Sequence, residues 1–298
     1  MTTYMKNLII ICVTITIGSC AVPQENFSRL GSLTGKTFAG KKYYLGWGHA
    51  DANDPAMMHN ETKYDVLHTH EIFTHGLGGR YDGAKLVGQG NNEQILSSFE
   101  QIKSKMTRND MYVQYSSGHG SEDGLQYGGS WSEIADRLLQ LPAKEIIVFT
   151  MSCHSGGLVN EINRNQAKWR SFKEQGRTLF VMTSSTLEQT SSTGPAGAVS
   201  GPEGSEGSAF GHSLWKALWG DADGAYDGVK DGFIELGEIE VFVKNRTKQL
   251  GGHNPVSTGS YNSGLIMNRV PKSTDGLTYP TQVEGNESNS LVSLDPQF

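Results

Sequence analysis

The stretch Glu145 to Gly157, EIIVFTMSCHSGG, decides the architecture. From Ile146 to Thr150 it is a continuous, mostly β-branched run, the pattern of a parallel strand buried on both faces. Parallel strands need crossover connections, usually helices, so this run predicts an α/β fold. The run breaks at Met151-Ser152-Cys153-His154-Ser155-Gly156-Gly157, a polar, Gly-rich turn that carries a thiol. In open parallel sheets, sites gather beyond the carboxyl ends of strands. Cys153 stands at such an end.

Working back along the chain, Met111 to Tyr115 is a second strand run, and it ends in Ser116-Ser117-Gly118-His119-Gly120-Ser121. His119 and Cys153 thus lie just past two successive strands. Adjacent parallel strands are about 4.8 Å apart, so topology alone brings the two side chains to one substrate. Between them, Ser130 and Glu133 form a capping box ahead of Ile134 and Leu138, and Pro142 ends that helix. Before them, Ile95, Phe99, Ile102 and Met106 recur at helical spacing behind a cap at Asn91 or Asn92. Tyr43 to Trp47 reads as a first strand, and Tyr64 to Phe73 as another inside a long polar stretch. Further on come a polar helix near 157–175, a strand from Thr178 to Thr183, a Gly/Ser/Pro-rich loop from Ser191 to Ser208 and a helix from Ala209 to Trp219. This alternation predicts a mostly parallel central sheet with helices on both faces.

The 298 residues carry 31 acidic and 25 basic side chains, a net charge of −6. That mild acidity offers no cationic stripe for nucleic acid and excludes it as a partner class. The 37 glycines, about 12% against a usual 7%, point to long surface loops. Lys6 followed by the apolar run Leu8 to Ile17 reads as a signal peptide, too short to span a bilayer. Ile17-Gly18-Ser19-Cys20 is similar to a bacterial lipobox, in which Cys20 is lipidated and the chain is cut before it. An ordinary signal peptide is the other reading, and both export the protein. With Cys12 in the signal and Cys20 lipidated, Cys153 is the sole thiol of the mature chain. A lone thiol is a liability in an exported protein, which favours a chemical role over a packing one.

The two motifs together resemble the caspase-like cysteine peptidases, the group of caspases, metacaspases and legumains, in the metacaspase form. Tyr115-Ser116-Ser117-Gly118-His119-Gly120 and Ser152-Cys153-His154-Ser155-Gly156 carry the likeness, with weaker support from Phe180 to Gln189 and Phe210 to Val243. The resemblance implies a three-layer α/β sandwich over residues 39–270, behind a signal peptide at 1–19 and a tether at 20–38. A polar segment, 271–298, is read as a disordered tail.

The resemblance also implies an endopeptidase acting on protein or peptide substrates without a required cofactor. Cys153 attacks the scissile carbonyl to form a thioester, and His119 manages the proton. The N–H groups of Cys153 and Gly120 hold the oxyanion, and His154 is a neighbour in the motif. Metacaspases and legumains carry an acid two residues before the nucleophile, where this chain has Met151. A basic P1 side chain loses its charge partner there, which leaves Ser184, Ser185, Glu188 and Gln189 as pocket candidates. A legumain-like transpeptidase and a non-catalytic surface binding module are the alternatives.

Two weaker patterns complete the reading. Asp227, Asp231, Glu235 and Glu238 fall at ligand positions of a twelve-residue, EF-hand-like loop, so Ca²⁺ is expected there, with Val229 removing one ligand. A helix-capping turn is the plain alternative. His68 and His70 share a face if their segment is a strand, and with His59 and His75 nearby they form a conceivable zinc set.

Overall fold

The computed structural model describes residues 38–74, 78, 81–87, 91–191 and 207–272. The signal peptide, Cys20, most of the tether, His75, the tail beyond 272 and most of the Gly/Ser/Pro-rich loop lie outside the described residues.

The elements in chain order are β1 (Lys42–Gly48), α1 (Ala56–Thr74), β2 (Asp82–Val87), α2 (Asn92–Lys105), β3 (Met111–Ser117), β4 (Gly124–Leu125), β5 (Gly129–Ser130), α3 (Trp131–Gln140), β6 (Glu145–Met151), α4 (Gly156–Arg164), α5 (Gln166–Glu174), β7 (Thr178–Thr183), α6 (Ala209–Lys216), a π-helical turn (Ala217–Asp221), β8 (Phe233–Glu235), α7 (Leu236–Gly251), β9 (Val256–Ser260) and β10 (Ile266–Arg269). Six strands form the central sheet in the order β2-β1-β3-β6-β7-β9. All pairings in it are parallel except β7 with β9. The chain is therefore an α/β protein with a mostly parallel sheet.

Both faces of the sheet are covered. Tyr115, Ile147, Phe149 and Met151 pack on one side with α1, α6 and α7, through Val66, Phe210 and Ile239. Tyr112, Ile146 and Val148 pack on the other with α2, α3 and α4, through Phe99, Leu138 and Leu158. Burial on both faces explains why β6 carries no polar alternation, since neither side of it meets water. The caps behave as their residues dictate. Asn91 with Gln94, and Ser130 with Glu133, close full capping boxes on α2 and α3.

Three elements differ from the sequence expectation. Tyr64 to Phe73 is not a strand but the second half of α1. Its inward face carries Thr62, Asp65 and Thr69 among Val66, Ile72 and Phe73, at spacings of three and four. Hydrogen bonds satisfy those polar groups, within the helix for Thr62 and across elements for Asp65 and Thr69, as when Thr69 Oγ1 meets Tyr44 OH at 2.7 Å, so the buried face shows no apolar stripe. The helix also separates His68 from His70. His68 stacks on Trp215 at 4.6 Å and His70 lies edge-on to Tyr44, so the two do not form a metal pair. Asp82–Val87, inside the stretch read as loop, is a strand beside β1. The helix expected near 157–175 breaks at Asn165 into α4 and α5.

The strand order reverses between β1 and β3, because β1 leads through α1 on one face and β3 leads through α3 on the other. Loops leaving the carboxyl ends of these strands diverge there and leave a crevice.

Candidate active site

Register fixes the relation between the two reactive residues. Ser117 and Met151 are partners on the last rung of β3 and β6, and the Gly118 N–H donates to the Met151 carbonyl at 3.1 Å. His119 and Cys153 each follow two residues later, on adjacent central strands. The approach beyond them is close. A Cβ added at Gly120 falls 2.5 Å from the Cys153 carbonyl oxygen and 2.6 Å from Ser152 Oγ, so only glycine fits.

Gly120 also pairs with Leu125 in an antiparallel bridge. The flanking bonds run from Gln126 N–H to the His119 carbonyl at 3.1 Å and from Ser121 N–H to the Gly124 carbonyl at 2.8 Å. Gly120 is thus the non-hydrogen-bonded member of the bridge, and its N–H has no acceptor among the described residues. That is the condition an oxyanion donor requires.

The nucleophile turn rests on buried serines. The Ser152 carbonyl accepts from Ser184 Oγ at 3.2 Å, Ser185 Oγ at 3.1 Å and Ser191 Oγ at 2.8 Å. Ser184 and Ser185 are fully buried and also bond Ser155 Oγ, so they support the turn from below rather than line an open pocket. The Cys153 thiol lies 3.8 Å from the Ser191 carbonyl. Two glycines then let α4 start in close contact with its neighbours. A Cβ at Gly156 meets Leu187 N at 2.5 Å, and one at Gly157 meets the Trp131 indole at 2.2 Å.

His154 has a left-handed backbone, with φ of 56°. Its Nδ1 donates to the Leu187 carbonyl at 2.6 Å and its backbone N–H to the Gln189 carbonyl at 2.8 Å. It therefore anchors the loop after β7. Gln189 Oε1 accepts from Asn254 N–H at 3.2 Å, while Glu188 is exposed. Met151 is buried and faces the α1 side with Ser117.

The imidazole of His119 has a partner that the sequence reading missed. Nε2 lies 2.8 Å from Asp54 Oδ2, in the loop between β1 and α1. Asp51, Asp54 and His119 are the one group of three metal-ligating side chains that converges among the described residues. The signal that could have found Asp54 is its place: it follows the first strand and precedes Pro55 at a helix start, on the crevice side of the sheet.

Asp227, Asp231, Glu235 and Glu238 do not converge on one point. Asp227 Oδ1 accepts from Val229 N–H at 2.8 Å and Asp231 Oδ1 from Phe233 N–H at 3.0 Å. Glu238 accepts from Gly224 N–H at 2.6 Å and Glu235 N–H at 2.9 Å, inside the capping box of α7. Burial pushes its carboxyl up to about 7.

No protein-family model matches the chain, and no curated protein matches it. Among solved structures, the crystal structure of caspase-1 from Spodoptera frugiperda is similar at a TM-score of 0.47 and 12% identity, over 75% of this chain and 88% of that one. The structure of pro-sf-caspase-1 is similar at a TM-score of 0.46 and 12% identity, over 74% and 87%.

Proposed function

We propose that this chain is an exported cysteine endopeptidase working through Cys153 and His119. One observation carries the reading: a thiol and an imidazole stand at matching positions past the carboxyl ends of adjacent central strands, with Gly120 pressed against the nucleophile turn. Packing alone calls for neither side chain at these loop positions.

In this reading the Cys153 proton passes to His119 as sulfur attacks the scissile carbonyl carbon. The oxyanion forms against the N–H groups of Gly120 and Cys153. Collapse breaks the C–N bond, and His119 returns its proton to the leaving amine. Water then cleaves the thioester, giving one proton back through His119 and restoring the thiol. The chemistry uses no metal. Substrates are proteins or peptides.

The lipobox-like Ile17-Gly18-Ser19-Cys20 adds a lipid anchor at Cys20 to the proposal, which places the enzyme on a bacterial cell envelope. Mass spectrometry of the mature N-terminus tests the anchor: diacylglycerol on Cys20 supports it, and an unmodified terminus elsewhere refutes it. Digestion of a peptide library tests the activity. Wild type is expected to cleave, Cys153→Ala to be inert, and equal cleavage by both sinks the reading.

A further inference from the structure

We propose that Asp54 is the positioning residue of the reactive pair: it holds His119 in the Nε2–H tautomer and leaves Nδ1 as the atom that exchanges protons. This deepens the peptidase reading and rests on it.

The donor and acceptor roles follow from chemistry. A carboxylate oxygen only accepts, so the 2.8 Å contact to Asp54 Oδ2 puts the proton on His119 Nε2. A neutral imidazole then has its lone pair at Nδ1. No described residue bonds that nitrogen. Exposure agrees, since the Asp54 side chain is 19% exposed and the His119 side chain 38%, so the carboxylate lies behind a ring that opens toward solvent.

The carboxylate is itself fixed. Asp51 N–H donates to the same Oδ2 at 2.6 Å, and Asp54 N–H donates to the Asp51 carbonyl at 2.9 Å, closing a turn just before Pro55. Asp51 ties that turn to the loop after β3. Its Oδ2 accepts from Gln126 Nε2 at 2.7 Å and its Oδ1 from Tyr127 OH at 3.4 Å, with His49 Nε2 at 3.7 Å. Two carboxylates from the β1 loop thus hold the His119 loop across the crevice, Asp54 by the ring and Asp51 by the turn between β4 and β5. When Nδ1 takes the thiol proton, the imidazolium lies against the Asp54 carboxylate.

The test uses the full chain and two readouts. Nitrogen-15 NMR on Cys153→Ala reads the tautomer of His119 without any turnover, and steady-state kinetics on otherwise wild-type protein reads its use. The expected parent ring is Nε2–H. Asp54→Ala should give a mixture of tautomers and lower kcat on the order of 10²-fold to 10⁴-fold, with KM little changed. Asp54→Asn keeps an oxygen for both hydrogen bonds but loses the charge beside the imidazolium, so it should keep the tautomer and lose about tenfold in kcat. A residue that merely braced the loop could lower the melting temperature but would not move the tautomer. A parent ring in the Nδ1–H form, or Asp54→Ala with an unmoved tautomer and kcat within about threefold, overturns the proposal. If no variant cleaves any peptide, the peptidase reading fails while the tautomer measurement still decides the role of Asp54.

Discussion

The Ser117 hydroxyl donates to the buried Asp65 carboxylate at 2.7 Å, fastening the end of β3 to α1 two residues before His119. The same carboxylate accepts from Ser208 N–H at 2.8 Å and Ser208 Oγ at 2.8 Å, so the cap of α6 joins the knot. Burial raises Asp65 to about 6, with the bonds from Ser117 and Ser208 working against that rise.

One turn earlier, Glu61 is 1% exposed, and neither carboxyl oxygen has a hydrogen-bond partner among the described residues. Burial, with Asp65 beside it, pushes Glu61 up to about 8. In the unfolded chain a Glu titrates near about 4.3. Between these values the folded chain binds the extra proton, so stability falls as pH rises from about 4.3 through 8. The contribution is complete below that window and gone above it. Across urea unfolding curves at pH 5, 7 and 9, wild type should lose on the order of 3 kcal/mol more than Glu61→Gln, since Asp65 and Glu238 titrate alike in both. An unchanged slope in the variant would assign the dependence to other groups.

Gly120→Ala should separate the two strand ends. The new methyl has nowhere to go but into the Cys153 carbonyl and Ser152 Oγ, at 2.5 and 2.6 Å. The shift moves one oxyanion donor, so kcat is expected to fall by roughly 10²-fold to 10³-fold, the scale of losing one such donor. Wild-type kcat in this variant would show that Gly120 is not part of the machinery.

In the peptidase reading, Met151 bears on substrate preference. It faces the α1 side beside Ser117, whose hydroxyl is already committed to Asp65. With no carboxylate at 151, peptides with P1 Arg or Lys should not dominate a cleavage profile. A profile dominated by them would require another acid, and Glu188→Gln would then test whether Glu188 has taken over the role.

Calcium offers a fourth test. Asp227, Asp231, Glu235 and Glu238 do not gather around one point, so an ion would have to draw them together against the turn and the capping box that now hold Asp227, Asp231 and Glu238. Millimolar Ca²⁺ is therefore expected to leave the melting temperature unmoved. A rise abolished by Asp231→Ala would restore the twelve-residue loop as an ion site.

The sequence was most legible where burial is symmetrical. Ile146 to Thr150 lies between two helical layers, so every residue is apolar or β-branched and the strand announces itself. The caps at Asn91 and Ser130 were legible because capping is local chemistry. Helix α1 was not, because Asp65, Thr69 and Glu61 occupy its inward face and are accommodated by partners, or by protonation, far away in sequence. Asp54 was hidden for the same reason: its bond to His119 spans 65 positions and follows from the strand order, which no local pattern encodes. Ser184 and Ser185 were found as neighbours of the site, but their burial under the Ser152 carbonyl depends on how β7 docks beside β6.

The most direct measurement is capture of the covalent intermediate. Wild-type protein is mixed with a cleavable peptide ester, quenched in acid within its first turnover, and digested for mass spectrometry. The expected result is the acyl group on Cys153 as a thioester, labile to hydroxylamine. An acyl group on any other residue, or peptide cleavage that survives in Cys153→Ala, would contradict the assignment of Cys153 as the nucleophile.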